Sequence, residues 1–329
     1  MGKLDTLTKE YMRRPEIFAD VFNQFLYHGK QVIAPERLAE LDTTEIAVPY
    51  GTDNASVPEQ RYRDVVKMLM AMTDGSVAYC ILAAENEGKI HYAAPVKSCL
   101  YDAIQLAHQV KVAASSHQKS KPGDKKPSGD EFLSGFWKED HLLPVVTVIV
   151  YFGAEEWDGP LSLREMYSDC SEEILKYTMD YKVNLIAPNE LSDSEIDAFQ
   201  SNMREIMRYI KYSKDKKKLS SVIRTEQRFQ CVERDAAEII NAATGSNMRI
   251  DKGKETIDMC IAIQEIREEG KIEGKIEGKM EGKIEGIIEG AITFAQKLGV
   301  QREQVKKSIM EEYKKNAEEA EELIKIYWK

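Results

Sequence analysis

The sequence predicts an α/β domain built on a mixed sheet with flanking helices, followed by an all-helical region. Three observations carry this. Val77 to Ala84 is an unbroken apolar run rich in β-formers, closed by Glu85, Asn86 and Glu87; such a run suits a strand buried on both faces. Tyr92 to Lys111 has one apolar face at helical spacing, and Leu142 to Phe152 is a second apolar run. A helical crossover between two strands implies a parallel pair inside a mixed sheet. Beyond about residue 190 the pattern becomes almost wholly helical.

In chain order, Pro15 to Tyr27 places Ile17, Phe18, Val21, Phe22, Phe25 and Leu26 on one face, with Gly29 as a stop signal. Leu41 to Tyr50 is expected to be a first strand and 51–59 a loop. Arg61 to Met72 reads as a strand, and Thr73-Asp74-Gly75-Ser76 carries the Asp-Gly signal of a hairpin turn. Pro95 fits the first turn of the following helix, where no amide donor is needed. Ser115 to Asp130, rich in Lys, Ser, Gly and Pro, reads as a surface loop. Val183 to Ala187, before Pro188, closes the sheet. The expected division is a sheet domain over 1–190, a helical region over 191–269, a four-residue repeat over 270–290 and closing helices over 291–329.

The chain of 329 residues has a net charge of −10. An overall negative field does not draw nucleic acid, so any nucleic-acid contact must be a local basic surface. Its densest basic stretch includes Arg204, Arg208, Lys211, Lys214, Lys216, Lys217, Lys218 and Arg224. The five cysteines are scattered without zinc or redox spacing. No signal-peptide pattern or membrane-length apolar run is present. These features point to a cytoplasmic protein with no membrane partner.

Side chains two apart on a strand share a face, so Glu85 and Glu87 stand side by side. Pairing across the hairpin brings Asp64 toward them. Buried carboxylates are costly without a cation, and hard divalent ions take carboxylate oxygens. A solvated strand end is the alternative reading.

The order D…E-x-E, helix, strand resembles the core of the PD-(D/E)XK nuclease superfamily. Within it, the chain is similar to the recombination-promoting nuclease (Rpn) or transposase group. The strings that carry the resemblance are FADVFNQFLYHGKQVI (18–33), RYRDVVK (61–67), ILAAENE (81–87) and HYAAPVKSCLYDAIQLAHQV (91–110), with the KIEG tail. The resemblance implies a bacterial, metal-dependent DNA endonuclease linked to recombination or mobile elements. Asp64, Glu85 and Glu87 would hold Mg²⁺, or Mn²⁺ or Ca²⁺. Asp20 on the first helix is a further acid candidate. Lys97 and Tyr101 would assist the chemistry, and Lys97, Gln105, Lys216, Lys217 and Lys218 would contact DNA. The group usually carries Gln, and the superfamily Lys, where this chain has Glu87. A catalytically impaired nuclease fold that binds or oligomerises is the rival expectation.

From Gly270 to Gly290 the sequence runs KIEG, KIEG, KMEG, KIEG, IIEG. Glycine costs about 1 kcal/mol relative to alanine in a helix interior. The segment is expected to be a marginal helix alone, serving as a spacer or as a homo-oligomer contact.

Overall fold

The structure is a computed structural model describing residues 2–41, 44–47, 59–62, 64–70, 78–119 and 128–328. The expected turn at 73–76 and the lysines at 121, 125 and 126 lie outside these residues. Two compact units divide the chain, residues 1–262 and 263–329.

The first unit is built on a five-stranded sheet: β1 (Leu38–Glu40), β2 (Val65–Met70), β3 (Ala78–Glu87), β4 (Val145–Tyr151) and β5 (Asn184–Ile186), in that spatial order. β1–β2 and β2–β3 are antiparallel, whereas β3–β4 and β4–β5 are parallel. The α/β class and the mixed sheet are therefore as the sequence predicts. The strand expected over 61–72 is divided. Glu59–Tyr62 pairs with Thr44–Ala47 in a separate ladder, and the chain bends at Asp64 before β2 enters the main sheet.

Helices cover both faces. α1 (Lys3–Arg13) and α2 (Pro15–Tyr27) lie on one. There Lys67 donates Nζ to the Arg13 carbonyl at 2.7 Å and sits 5.4 Å from the Phe18 ring centroid. α2 ends as expected: His28 and Gly29 adopt the left-handed conformation, and their N–H groups bond the Gln24 and Asn23 carbonyls. α3 (Ala94–Gln118) covers the other face, and Pro95 sits in its first turn. It extends past the expected Lys111 end and takes in part of the expected loop. Phe18, Phe22, Leu82, Ile149 and Phe152 are among the fully buried core side chains.

Residues 191–262 pack into this same unit. They contribute α4 (Met203–Tyr212), α5 (Lys216–Thr225) and α6 (Arg234–Thr244). The Asp20 carboxylate accepts from the Gln200 N–H, the Ser201 N–H at 2.8 Å and Ser201 Oγ at 2.5 Å, ahead of α4. Arg14 Nη1 donates to Glu233 Oε2 at 2.6 Å.

The repeat is continuous helix within α7 (Met259–Lys297). α8 (Arg302–Tyr313) and α9 (Ala317–Tyr327) follow, separated by left-handed Lys314 and by Asn316, which caps α9 with Glu319. Ile288, Ile292, Val305, Ile309, Ala320 and Ile324 form the core of the second unit. Among the described residues no helix is long and apolar enough to cross a membrane.

Candidate active site at the ends of two central strands

The register of β2 on β3 pairs Val65 with Ala84. One step before that pair, at the bend that opens β2, lies Asp64. β3 then carries Glu85 opposite Ile149 and Glu87 opposite Tyr151 of β4. Both glutamates leave the sheet on the face that α3 covers. Lys97, one turn into α3, reaches them from above. Its Nζ donates to Glu87 Oε1 at 2.7 Å and lies 3.2 Å from Glu85 Oε2. The same ammonium is 5.9 Å from the centroid of the buried Tyr101 ring, one helical turn on.

Asp64 is held differently. Its Oδ2 accepts the Asn86 N–H at 2.8 Å, and Oδ1 lies 3.8 Å from Lys9 Nζ on α1. Lys97 thus bridges Glu85 and Glu87, while Asp64, at the neighbouring strand end, is held by the Asn86 N–H and faces Lys9. Glu85 is only 2% exposed.

The electrostatics follow from burial. Desolvation disfavours charge on Lys97, but the Glu85 and Glu87 carboxylates outweigh it and hold the ammonium above the usual lysine range. It is a fixed positive charge at neutral pH. Desolvation raises the pKa of Asp64, against the opposing bond from the Asn86 N–H. A raised folded-state pKa favours the protonated carboxyl. Its stabilising contribution is full below the unfolded pKa and is lost as pH rises through the folded one. Asp64→Asn is therefore expected to raise Tm at neutral pH and to leave it unchanged well below about pH 4, the ordinary aspartate range. Thermal melts at the two pH values check this; a lower Tm at neutral pH would contradict it.

The structure brings Glu85, Glu87, Lys97 and Tyr101 together, sets Asp64 at the adjacent strand end against Asn86 and Lys9, and leaves other expected residues elsewhere. Asp20 is buried with its carboxylate taken up by Gln200 and Ser201, so it anchors the helical region instead of joining the acids. Gln105 is buried, not a solvent-facing amide for DNA. Lys216, Lys217 and Lys218 are exposed in the first turn of α5, where the Asp215 side chain accepts from the Lys217 and Lys218 N–H groups. Much of the surrounding basic stretch is internally neutralised. Arg204 and Arg208 pair with Asp197 and Glu226, and Lys211 pairs with Asp193.

Sequence reading missed Lys9, whose helix begins within a charged stretch. The apolar spacing of Leu4, Leu7, Tyr11 and Met12 is the signal for it. It also missed Asp102, which accepts from Thr147 Oγ1 at 2.5 Å and the Tyr181 hydroxyl at 2.6 Å. These bonds tie α3 to β4 and so fix the height at which Lys97 meets the glutamates.

The donor set fits a hard divalent cation. All three acids offer oxygen, and a positive charge already bridges two of them. Among the described residues no three His, Cys, Asp or Glu side chains converge as a ready metal cage. Mg²⁺ needs no such cage, since it is commonly bound through one or two carboxylates, several waters and substrate phosphate. Comparison of the chain with family models, with curated proteins and with solved structures gives no match.

Proposed function

We propose that the protein is a divalent-metal-dependent DNA endonuclease on a PD-(D/E)XK-like core, of the Rpn kind linked to recombination or mobile elements. The observation that supports this reading is Lys97 held between Glu85 and Glu87 at the end of a central strand, with Asp64 at the neighbouring strand end bonded to the intervening Asn86. A buried ion pair is weak evidence for stability, because desolvating the charges offsets their attraction. A buried glutamate and a lysine held well above its ordinary pKa beside it point instead to chemistry.

In this reading Asp64 and Glu85 hold the metal, with Glu87 beside them. When bound, the metal lowers the pKa of a coordinated water and stabilises charge on the scissile phosphate. Lys97 stays protonated, so it serves as an electrostatic partner for developing phosphate charge and not as a base. It supplies, from the helix, the ammonium that position 87 lacks. Tyr101 packs beneath it and limits its excursions.

The test is plasmid cleavage by the purified chain with Mg²⁺, Mn²⁺ or Ca²⁺ and with chelator. Cleavage that needs a divalent ion is expected. A folded chain inert on plasmid, linear duplex and single strands with every ion would favour the second reading, a nuclease fold that has lost activity and acts by binding. The closed Lys97–Glu87 hydrogen bond at 2.7 Å is the observation that favours that second reading.

Glu87→Gln separates the two roles open to this side chain. The amide oxygen still accepts from Lys97, and carboxylate repulsion falls. Cleavage is expected to be unchanged or faster. A tenfold loss, about 1.4 kcal/mol of barrier, would make Glu87 a required ligand.

DNA binding is assigned to the α5 lysines. Positive side chains in a first helical turn oppose the helix dipole; Lys218 is offset by the Tyr212 ring, whose centroid is 4.2 Å away, and Lys216 and Lys217 are exposed. Neutralising Lys216, Lys217 and Lys218 together is expected to flatten the salt dependence of DNA affinity. The log–log slope should fall by roughly one for each phosphate that a lysine no longer neutralises. An unchanged slope in a salt titration would exclude this patch.

A further inference from the structure

The repeat helix is charged in a pattern that fits a second copy of itself. From Gly270 to Gly290 the repeat places Lys, an apolar residue, Glu and Gly in turn, with Ile287 in the lysine position of the last unit. At 100° per residue, the apolar stripe is flanked by lysines on one side and glutamates on the other. Glycine lies at the back. Lys and Glu fall two or six residues apart, never three or four, so no favourable pairs form along the helix. Like charges recur at i,i+4 instead, which is unfavourable in a lone helix.

The apolar row changes from covered to open along its length. Ile288 and Ile292 are 1% and 0% exposed in the core with α8 and α9. Ile272, Ile276, Met280 and Ile284, on the same i,i+4 row, are 58%, 54%, 61% and 41% exposed. The covered end shows what the row packs against, namely helices. Beside Ile284 and Ile288 lies a groove of about 610 Å³ that Leu323 and Ile326 of α9 line together with the charged Lys315, Glu319 and Glu322.

We propose that this row is the pairing face between two copies of the chain, with the repeat helices parallel. The orientation follows from the flanking charges. A two-fold axis along the helices sets the lysine edge of one copy against the glutamate edge of the other on both sides. A two-fold axis across the helices sets lysine against lysine and glutamate against glutamate. Only the parallel pair relieves the i,i+4 repulsion while burying the isoleucines. A four-residue step advances the row by about 40° per repeat, so the two helices wrap in a right-handed sense. This inference does not depend on the nuclease reading.

The experiment is sedimentation of the full chain over a concentration series, with charge exchange. The native chain is expected to dimerise. Replacing Lys271, Lys275, Lys279 and Lys283 with glutamate is expected to weaken self-association at least about tenfold, or 1.4 kcal/mol. A second variant with the repeat glutamates changed to lysine is expected to behave likewise, and mixing the two variants to restore a dimer. A native chain that stays monomeric, or a lysine-to-glutamate variant that keeps its dimer, would overturn the proposal. Should the variants lose helix by circular dichroism, Ile276→Cys decides. Parallel pairing sets 276 against 276 and gives an inter-chain disulfide absent from the native chain. Antiparallel pairing sets 276 against Ile284, and a dimer without that disulfide contradicts the parallel arrangement.

Discussion

Replacing Glu85 with alanine is expected to abolish metal-dependent cleavage, by about 10³-fold or more, about 4 kcal/mol of barrier, while the fold persists. Glu85 is the most deeply buried of the three acids and is one of the two that Lys97 bridges. Without it, a cation loses its most buried carboxylate ligand. The fold persists because Lys97 keeps its 2.7 Å bond to Glu87, so no buried charge is stranded. Asp64→Ala is expected to act in the same direction. The measurement is the cleavage rate at saturating Mg²⁺ together with the melting curve. Full activity in a folded Asp64→Ala, Glu85→Ala double variant would remove these residues from the site.

The second large effect is at Lys97. Lys97→Met removes the ammonium and leaves Glu85 and Glu87 facing each other in a partly buried setting. Two consequences follow, and they separate a positioning charge from a merely structural one. Turnover is expected to fall by about 10² to 10³, the cost typical of removing one pre-organised donor from developing charge. Divalent-ion affinity is expected to hold or rise, because the ammonium no longer competes for the carboxylates. Stability without metal is expected to drop by about 3 kcal/mol, in the range for breaking one side of a buried pair. Saturating divalent ion recovers part of it, about 2.7 kcal/mol at a hundredfold excess over Kd. Lys97→Arg keeps the charge and is expected to retain part of the rate. A purely structural Lys97 would change melting and leave the metal affinity and the rate per folded molecule alone.

Much of this arrangement is legible in the sequence, for identifiable physical reasons. Val77 to Ala84 and Leu142 to Phe152 read as central strands because a strand covered by helices on both faces has no polar side to show. The helix between them then requires a parallel pair. Pro15 to Tyr27 reads as a helix because its apolar spacing and its Gly29 stop agree. Other features depend on partners that local spacing does not specify. Asp20 looks like a site acid from its position on α2, yet its partners are 180 residues away at Gln200 and Ser201. Lys97 sits on the polar face of α3 in sequence. Its bond to Glu87 is set by the bonds from Thr147 and Tyr181 that hold neighbouring Asp102. The repeat reads as a marginal helix from its glycines, whereas its last turns are packed into the core of the second unit through Ile288 and Ile292.

The central claim is that the Asp64, Glu85 and Glu87 row is a divalent-cation site under competition from Lys97. Manganese binding, followed by the loss of the free Mn²⁺ electron spin resonance signal, tests it without reference to any substrate. The native chain is expected to bind Mn²⁺ at the site. Binding should weaken as pH falls through the raised pKa of Asp64, disappear in Glu85→Ala and persist or tighten in Lys97→Met. A native chain that leaves the Mn²⁺ signal unchanged, or a Glu85→Ala variant that binds as the native chain does, would contradict the account.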